Sequence, residues 1–316
     1  MIIDPKHLIQ FTEIIDHGSF TAAADHLNTS QPALSRMASN LEALLGTPLF
    51  ESRRNPVTPT TVGAELANYG RSIRTSTNQV LQIASRVSSG EQGELRIGAP
   101  PFHSQSVASG FIASWLELHP DIRIILQNDY GPSLLKQLVE GTLDLIMAPV
   151  DVIEGISNLI VERLTKGENV IVCRAGHPLL SKKIITPDML SQARWITHGR
   201  ESLLNRDTRL ALTAVGVDYI DVPSFESNSA EAMQAVMENS DMLTVLPDLV
   251  AGSLVESNIY SILPFRLPGP YRPFGYITHE SRQTPALLAF REGLSIDIKK
   301  ANRRAREICE KALPKS

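Results

Sequence analysis

Apolar residues recur at helical spacing through the first third of the chain, and the places where the recurrence breaks outline separate helices. Leu8, Phe11, Ile14 and Ile15 form one stripe, closed by Gly18. Phe20, Ala23, Ala24 and Leu27 form a second, and the run Ala22-Ala23-Ala24 lets another helix approach closely. Asn28-Thr29-Ser30 reads as turn and cap, and Pro32 suits a first helical turn, where its missing N–H costs nothing. Leu34, Met37, Ala38, Leu41 and Leu45 then make a buried stripe, with Ser35, Arg36, Ser39 and Asn40 on the other side. Two short helices, a turn between them and the strand-like exit Pro48-Leu49-Phe50 are the outline of a helix-turn-helix.

The polar side of the second of these helices carries one cation among small hydrogen-bonding groups. That composition suits a helix read against base edges in the major groove, with Ser30, Gln31, Pro32, Ser35, Arg36 and Ser39 as the contact candidates. The competing reading is an ordinary solvated helix face.

Beyond Thr60 and Thr61, which can cap a further helix, Val62, Leu66, Tyr69, Ile73, Ser76, Val80, Ile83 and Val87 alternate spacings of four and three. This heptad seam predicts a helix over residues 61–90 that pairs with another helix, with a long helix covering the next domain as the alternative. Ser88-Ser89-Gly90-Glu91-Gln92-Gly93 is a polar break and the expected domain boundary. After it, residues 95–98, 122–126 and 143–147 read as strands, with helices at 111–118 and 133–140 between them. This is the βαβ alternation of a parallel sheet. It continues with strands at 170–173, 195–197, 219–225 and 242–246 and helices at 203–215 and 230–238.

Composition restricts the function. The 316 residues are 42% hydrophobic and 20% charged, ordinary for a soluble chain of two or three folding units. A net charge of −4 gives no bulk support for nucleic-acid binding, and acids balance bases within residues 1–90 as well, so any DNA footprint must be local. Cys173 and Cys309 stand far apart, with no disulfide framework or zinc motif, and Cys173 sits in a strand-like apolar run. The start of the chain lacks a basic, then apolar leader, and no run is long enough to span a bilayer, so a cytoplasmic protein with no membrane partner is expected. No nucleophile-elbow GxSxG, Walker loop, HExxH or GxGxxG is present. Ser133-Leu134-Leu135-Lys136 matches SxxK without that chemistry's companions, so neither catalysis nor a cofactor is expected.

Phe20-Thr21-Ala22-Ala23-Ala24, Ser30-Gln31-Pro32-Ala33-Leu34-Ser35-Arg36, Leu41-Glu42, Leu44, Gly46, Pro48-Leu49-Phe50 and Arg53 resemble the amino-terminal signature of LysR-type transcriptional regulators. The resemblance implies an α/β chain with an N-terminal winged helix-turn-helix at residues 1–60, with Arg53 and Arg54 on the wing. Ser52, Asn55-Pro56 and Pro59 depart from the usual wing. It implies that the linker helix at 61–90 forms a dimer on a double-stranded DNA operator. Pairing of dimers into a homotetramer, contact with RNA polymerase and activation by an inducer are implied in the same way.

The rest of the chain then resembles a two-lobed, Rossmann-like effector-binding domain of the periplasmic-binding-protein type over residues 91–300. Lobe I would hold 91–164 and 271–300, lobe II would hold 165–270, and 301–316 would be a basic, solvated and frayed tail. In such a fold a small-molecule effector, expected to be an organic acid, lies beyond the carboxyl ends of the strands. The loops there offer Pro100, Phe102, His103, Ser104, Tyr130, Gly131, Pro149, Thr197, His198, Ser227 and Asn228. Pro100-Pro101 departs from the hydroxyl-bearing loop of many family members, leaving His103 and Ser104 as substitutes. A secreted solute-binding protein would have no use for residues 1–60.

Overall fold

The chain divides into two units, Met1–Glu91 and Gln92–Ser316. The computed structural model describes residues 3–88, 93–150, 158–200, 202–217, 224–269 and 271–314. Residues 89–92 of the expected break and 219–223 of one expected strand lie outside these, as do the side chains of Ile83 and Val87.

In the first unit, α1 (Pro5–His17) starts where the Asp4 carboxylate accepts from the Lys6 N–H, and ends at Gly18 in the left-handed conformation that glycine favours. Ser19 caps α2 (Phe20–His26) by accepting from Ala22 N–H, and α3 (Gln31–Leu45) begins at Ser30 with Pro32 in its first turn. An antiparallel pair, β1 (Phe50–Ser52) and β2 (Thr58–Pro59), forms the wing and leads into α4 (Thr61–Ser88). Phe11, Ile14, Ala23, Leu34, Ala38, Leu41 and Leu49 close the core, with Phe11 edge-on to Phe50 at 5.2 Å. These are the stripes the periodicity marks.

The expected seam on α4 divides between two surfaces. Leu66 and Ile73 pack towards the first unit's own core, alongside buried Ala67. Val62, Tyr69 and Val80 remain exposed, Tyr69 at 68% and Val80 at 64%. The cause is contact with α1: a Cβ on Gly70 would stand 2.0 Å from Thr12 Oγ1, so the glycine lets the backbones approach, and the side of α4 carrying it is already covered.

The second unit holds two five-stranded sheets. Its first lobe contains β3 (Glu94–Ala99), a helical segment made of α5 (Pro101–His103), a π turn (Ser104–Ala108) and α6 (Ser109–Leu118), then β4 (Arg123–Asn128), α7 (Gly131–Glu140), β5 (Leu145–Pro149) and β6 (Leu159–Arg163). The second lobe follows with β7 (Asn169–Arg174), α8 (Pro187–Ser191), β8 (Arg194–His198), α9 (Leu203–Ala214), β9 (Phe225–Ser227), α10 (Ala230–Glu238), β10 (Met242–Pro247), α11 (Asp248–Val255) and β11 (Tyr260–Arg266). The chain then returns through β12 (Phe274–His279) and ends in α12 (Pro285–Ala312).

The sheets run β4-β3-β5-β12-β6 and β11-β7-β10-β8-β9. β3, β4 and β5 are parallel, as are β8, β9 and β10, while β12 and β7 run antiparallel to their neighbours. The chain passes between sheets twice, from β6 into β7 and from β11 back into β12.

The basic run expected as a frayed tail is instead the last part of α12. Leu287, Phe290, Leu294 and Ile298 pack into the first-lobe core, and Cys309 and Leu313 into the second-lobe core. Ala305 fits over Gly252, where a Cβ would come within 2.5 Å of it. The apolar positions 298, 305 and 309 fall on one helical face, and the arginines between them occupy the other, which gives the run its tail-like composition.

Candidate functional site

Two surfaces carry the candidate chemistry, one in each unit. On α3, Ser30, Gln31, Pro32, Arg36 and Ser39 are exposed and Ser35 is half-buried, because the opposite stripe is held in the core. Among the described residues Arg36 has no carboxylate at ion-pair distance. Arg53 differs. Its guanidinium pairs with Glu42, donates to Ser39 Oγ at 3.0 Å and lies over the Phe50 ring at 5.2 Å. Glu42 also accepts from Leu49 N–H at 2.7 Å, so one carboxylate ties the wing to α3. Arg54 is exposed at the wing tip. Arg36 and Arg54 are therefore the open cations, and Arg53 is a scaffold contact with a partly exposed edge.

In the second unit a cavity of about 230 Å³ is walled by both lobes and by the two crossing segments. Pro100, Phe102, His103, Tyr130, Gly131, Pro149 and His198 line it. Ser104, Thr197, Ser227 and Asn228 do not. Pro101 starts a helical turn at once, which turns Ser104 into the interior, and the alternation of β8 sends Thr197 to the face opposite His198. Asn228 packs over Gly199, where a Cβ would meet its Oδ1 at 2.2 Å. Ser227 Oγ accepts from Ser229 N–H in the approach to α10.

His103 and His198 are both buried, and among the described residues neither Nε2 has a hydrogen-bond partner. Burial pushes His103 down to about 3, with His198 adding to the effect. Burial pushes His198 down to about 4, against a hydrogen bond to the Val245 backbone. Both imidazoles are thus neutral near pH 7, each with one donor and one acceptor nitrogen. His103 stacks on Phe274 and Phe102 stands edge-on to His198 at 5.5 Å.

The wall also contains charged groups that local sequence signals do not mark. Asp207 on α9 pairs with Arg272 on the return crossing, Nη2 to Oδ1 at 2.9 Å. Burial raises Asp248 to about 6, with the Leu249 N–H acting in the opposite direction. The first turns of α7, α9 and α11 all reach the cavity, through Gly131, Leu203 and Asp248. Ser202 caps α9 by accepting from Leu204 N–H, whereas Tyr130 supplies no side-chain cap to α7. Ser202, a cap residue directly ahead of the apolar stripe of α9, carries a local signal that the sequence reading did not use. Arg272 and Phe274 sit in a stretch where no strand was expected, so nothing pointed to them.

An exposed polar helix face beside a two-stranded wing, in one chain with a two-lobed α/β unit enclosing a cavity, defines a transcriptional regulator with a substrate-binding domain. Residues 5–64 match the family model of the bacterial regulatory helix-turn-helix protein, lysR family, and residues 88–295 match that of the LysR substrate binding domain. The chain belongs to the LysR family of DNA-binding transcriptional regulators. It is 27% identical over 297 residues to the SDS degradation transcriptional activation protein of a Pseudomonas species, covering 93% of this chain and 96% of that one. It is 25% identical over 278 residues to the regulator PcaQ of Agrobacterium fabrum, covering 88% and 89%. Full-length OxyR of Pseudomonas aeruginosa shares the fold with a TM-score of 0.54 at 20% identity, covering 95% of each chain. No helix among the described residues is long and apolar enough to cross a membrane.

Proposed function

We propose that this regulator reads its operator with α3 and the wing, and is switched by a small organic acid bound between the lobes of the second unit. The observation that carries the effector reading is the pair of neutral, buried imidazoles whose Nε2 atoms lack partners at the wall of one cavity. A buried polar atom without a partner costs about 1–3 kcal/mol, which a ligand that completes the bond recovers. The acid's carboxylate accepts from an imidazole N–H of this pair rather than at the start of α7, where the Asp129 carboxylate already accepts from Tyr130 N–H and from the Ser133 hydroxyl. Its body lies against Phe102, Phe274 and Leu203. The Asp207–Arg272 pair closes the lobe II side, so the acid is small and carries one charge.

Ser30, Gln31, Pro32, Ser35, Arg36, Ser39 and Arg54 contact DNA in this reading, with Arg53 fixing the wing. Tyr69, Val80 and Leu81, exposed on α4, pair protomers into a homodimer, and dimers pair into a tetramer. Activation through RNA polymerase in the cytoplasm follows the family pattern, and catalysis has no part in it. A ligand switches the assembly only by binding one arrangement better than the other.

The test is a calorimetric titration of the purified protein with small aromatic and aliphatic carboxylates and with their amides, beside His198→Ala. Saturable binding of an acid, lost with the amide and weakened at least about tenfold in the variant while operator affinity is kept, supports the reading. Equal binding of amide and acid removes the organic acid from it.

A further inference from the structure

In the first unit, Glu13 and His17 on α1 converge with His26 on α2. Their donor atoms all lie within 4.8 Å of one another. Glu13 Oε2 is 3.4 Å from His17 Nε2 and 3.7 Å from His26 Nε2, and the two imidazole centroids are 4.8 Å apart. Around a tetrahedral ion with bonds of about 2.0–2.1 Å, adjacent ligand atoms stand about 3.3 Å apart. The three groups therefore need only a small inward rotation to share one ion.

The other oxygen of the carboxylate supports that arrangement. Glu13 Oε1 accepts from Arg74 Nη1 at 2.5 Å, so the guanidinium fixes the carboxylate plane and leaves Oε2 as a single ligand atom. Asp16 takes Arg74 at 3.1 Å and also pairs with Arg71. Among the described residues the acids Glu13 and Asp16 thus face Arg71 and Arg74 in these ion pairs, which leave no net positive charge to oppose a cation. The Glu13 side chain is 5% exposed while those of His17 and His26 are 36% and 58% exposed. The group has a buried anchor and an open side through which an ion enters and where water completes the shell.

We propose that Glu13, His17 and His26 form a binding site for a divalent transition-metal ion of the zinc class. Two imidazole nitrogens and one carboxylate oxygen select such an ion over calcium or magnesium, which take oxygen ligands. The site ties the last turn of α1 to the last turn of α2 across the Gly18 turn. That turn also accepts the wing, through Val57 N–H to Gly18 O at 2.8 Å, and α2 leads directly into α3. A bound ion therefore locks the frame that presents α3 and the wing, and couples metal supply to DNA reading.

The experiment uses the full-length protein, stripped with chelator, and titrates it with Zn2+ by calorimetry and with Co2+ by visible absorption. His17→Ala and His26→Ala change exposed side chains, and His7→Ala on the same helix serves as the control. The expected result is one ion per chain, with affinity at least about tenfold weaker in both cluster variants and unchanged in the control. Circular dichroism and melting without metal should match across all four proteins. Absence of uptake by the unmodified protein at micromolar metal, or uptake by both cluster variants equal to the control's, overturns the site.

Discussion

His103 lies flat on Phe274, with ring centroids 4.0 Å apart and planes inclined by 12°. The contact joins the helical turn after the first strand of lobe I to the strand that brings the chain back from lobe II. It also buries most of the imidazole, and that has a consequence for stability.

Stability should fall on mild acidification. His103 is held at about 3 and His198 at about 4, both below the value of about 6.5 in an unfolded chain. Below pH 6.5 the unfolded state therefore binds more protons and gains relative to the folded one. Asp248 acts oppositely, since its folded value of about 6 lies above its ordinary 3.8, and protonation between those values favours the fold. Two imidazoles against one carboxyl leave a net loss of about 1.4 kcal/mol per pH unit between pH 6 and 4. Urea unfolding at pH 6, 5 and 4 measures this slope. His103→Phe keeps the stacking and should nearly flatten it; an unchanged slope in that variant would place the cause elsewhere.

Gly167→Ala should be severe. Gly167 has φ +72° and a Cβ there would lie 1.6 Å from Arg272 O, where the outgoing and returning crossings touch. The expected loss is about 3 kcal/mol or more in denaturant unfolding. Gly131→Ala, also at the cavity but with nothing within 4 Å of the added carbon, should stay within about 0.5 kcal/mol.

Gly70→Ala should loosen α4 from α1, because the added carbon would meet Thr12 Oγ1 at 2.0 Å and Leu8 O at 2.6 Å. Overpacking of this kind costs about 1–3 kcal/mol. The melting transition of the first unit reports it, and an unaltered transition would mean that α4 is held by other contacts.

Arg36→Ala and Arg53→Ala should separate in DNA binding. Arg36 is exposed, so its loss should reduce the salt dependence of operator affinity by about one ion, with no change in melting. Arg53→Ala releases Glu42 and Ser39 and should lower the melting temperature as well. Fluorescence anisotropy across a salt series, beside a thermal melt, distinguishes the two; equal melting temperatures would remove the scaffold role given to Arg53.

The sequence by itself determined the elements whose signals are local. The stripes of α1, α2 and α3, the turn at Asn28-Thr29-Ser30, and the alternation through β3, β4 and β5 depend on neighbours a few residues away, and periodicity records those neighbours; the cap expected of Ser30 does not form, since its side chain accepts no helix N–H. Part of the cavity wall was legible for the same reason, because ligand walls in parallel sheets fall at strand ends and those ends carried loops that could be recognised. Tertiary structure decided the remainder. β6, β11 and β12 exist through pairing with distant strands, so Arg272 and Phe274 had no local mark. Side-chain direction placed His198 on the cavity and Thr197 away from it, a choice set by which face of β8 meets the other lobe. The split of the α4 stripe, the partner that holds Arg53 and the burial of Cys309 each depend on what the fold lays against them. A single chain's spacing holds no record of that, because packing partners are chosen by three-dimensional proximity rather than by sequence separation.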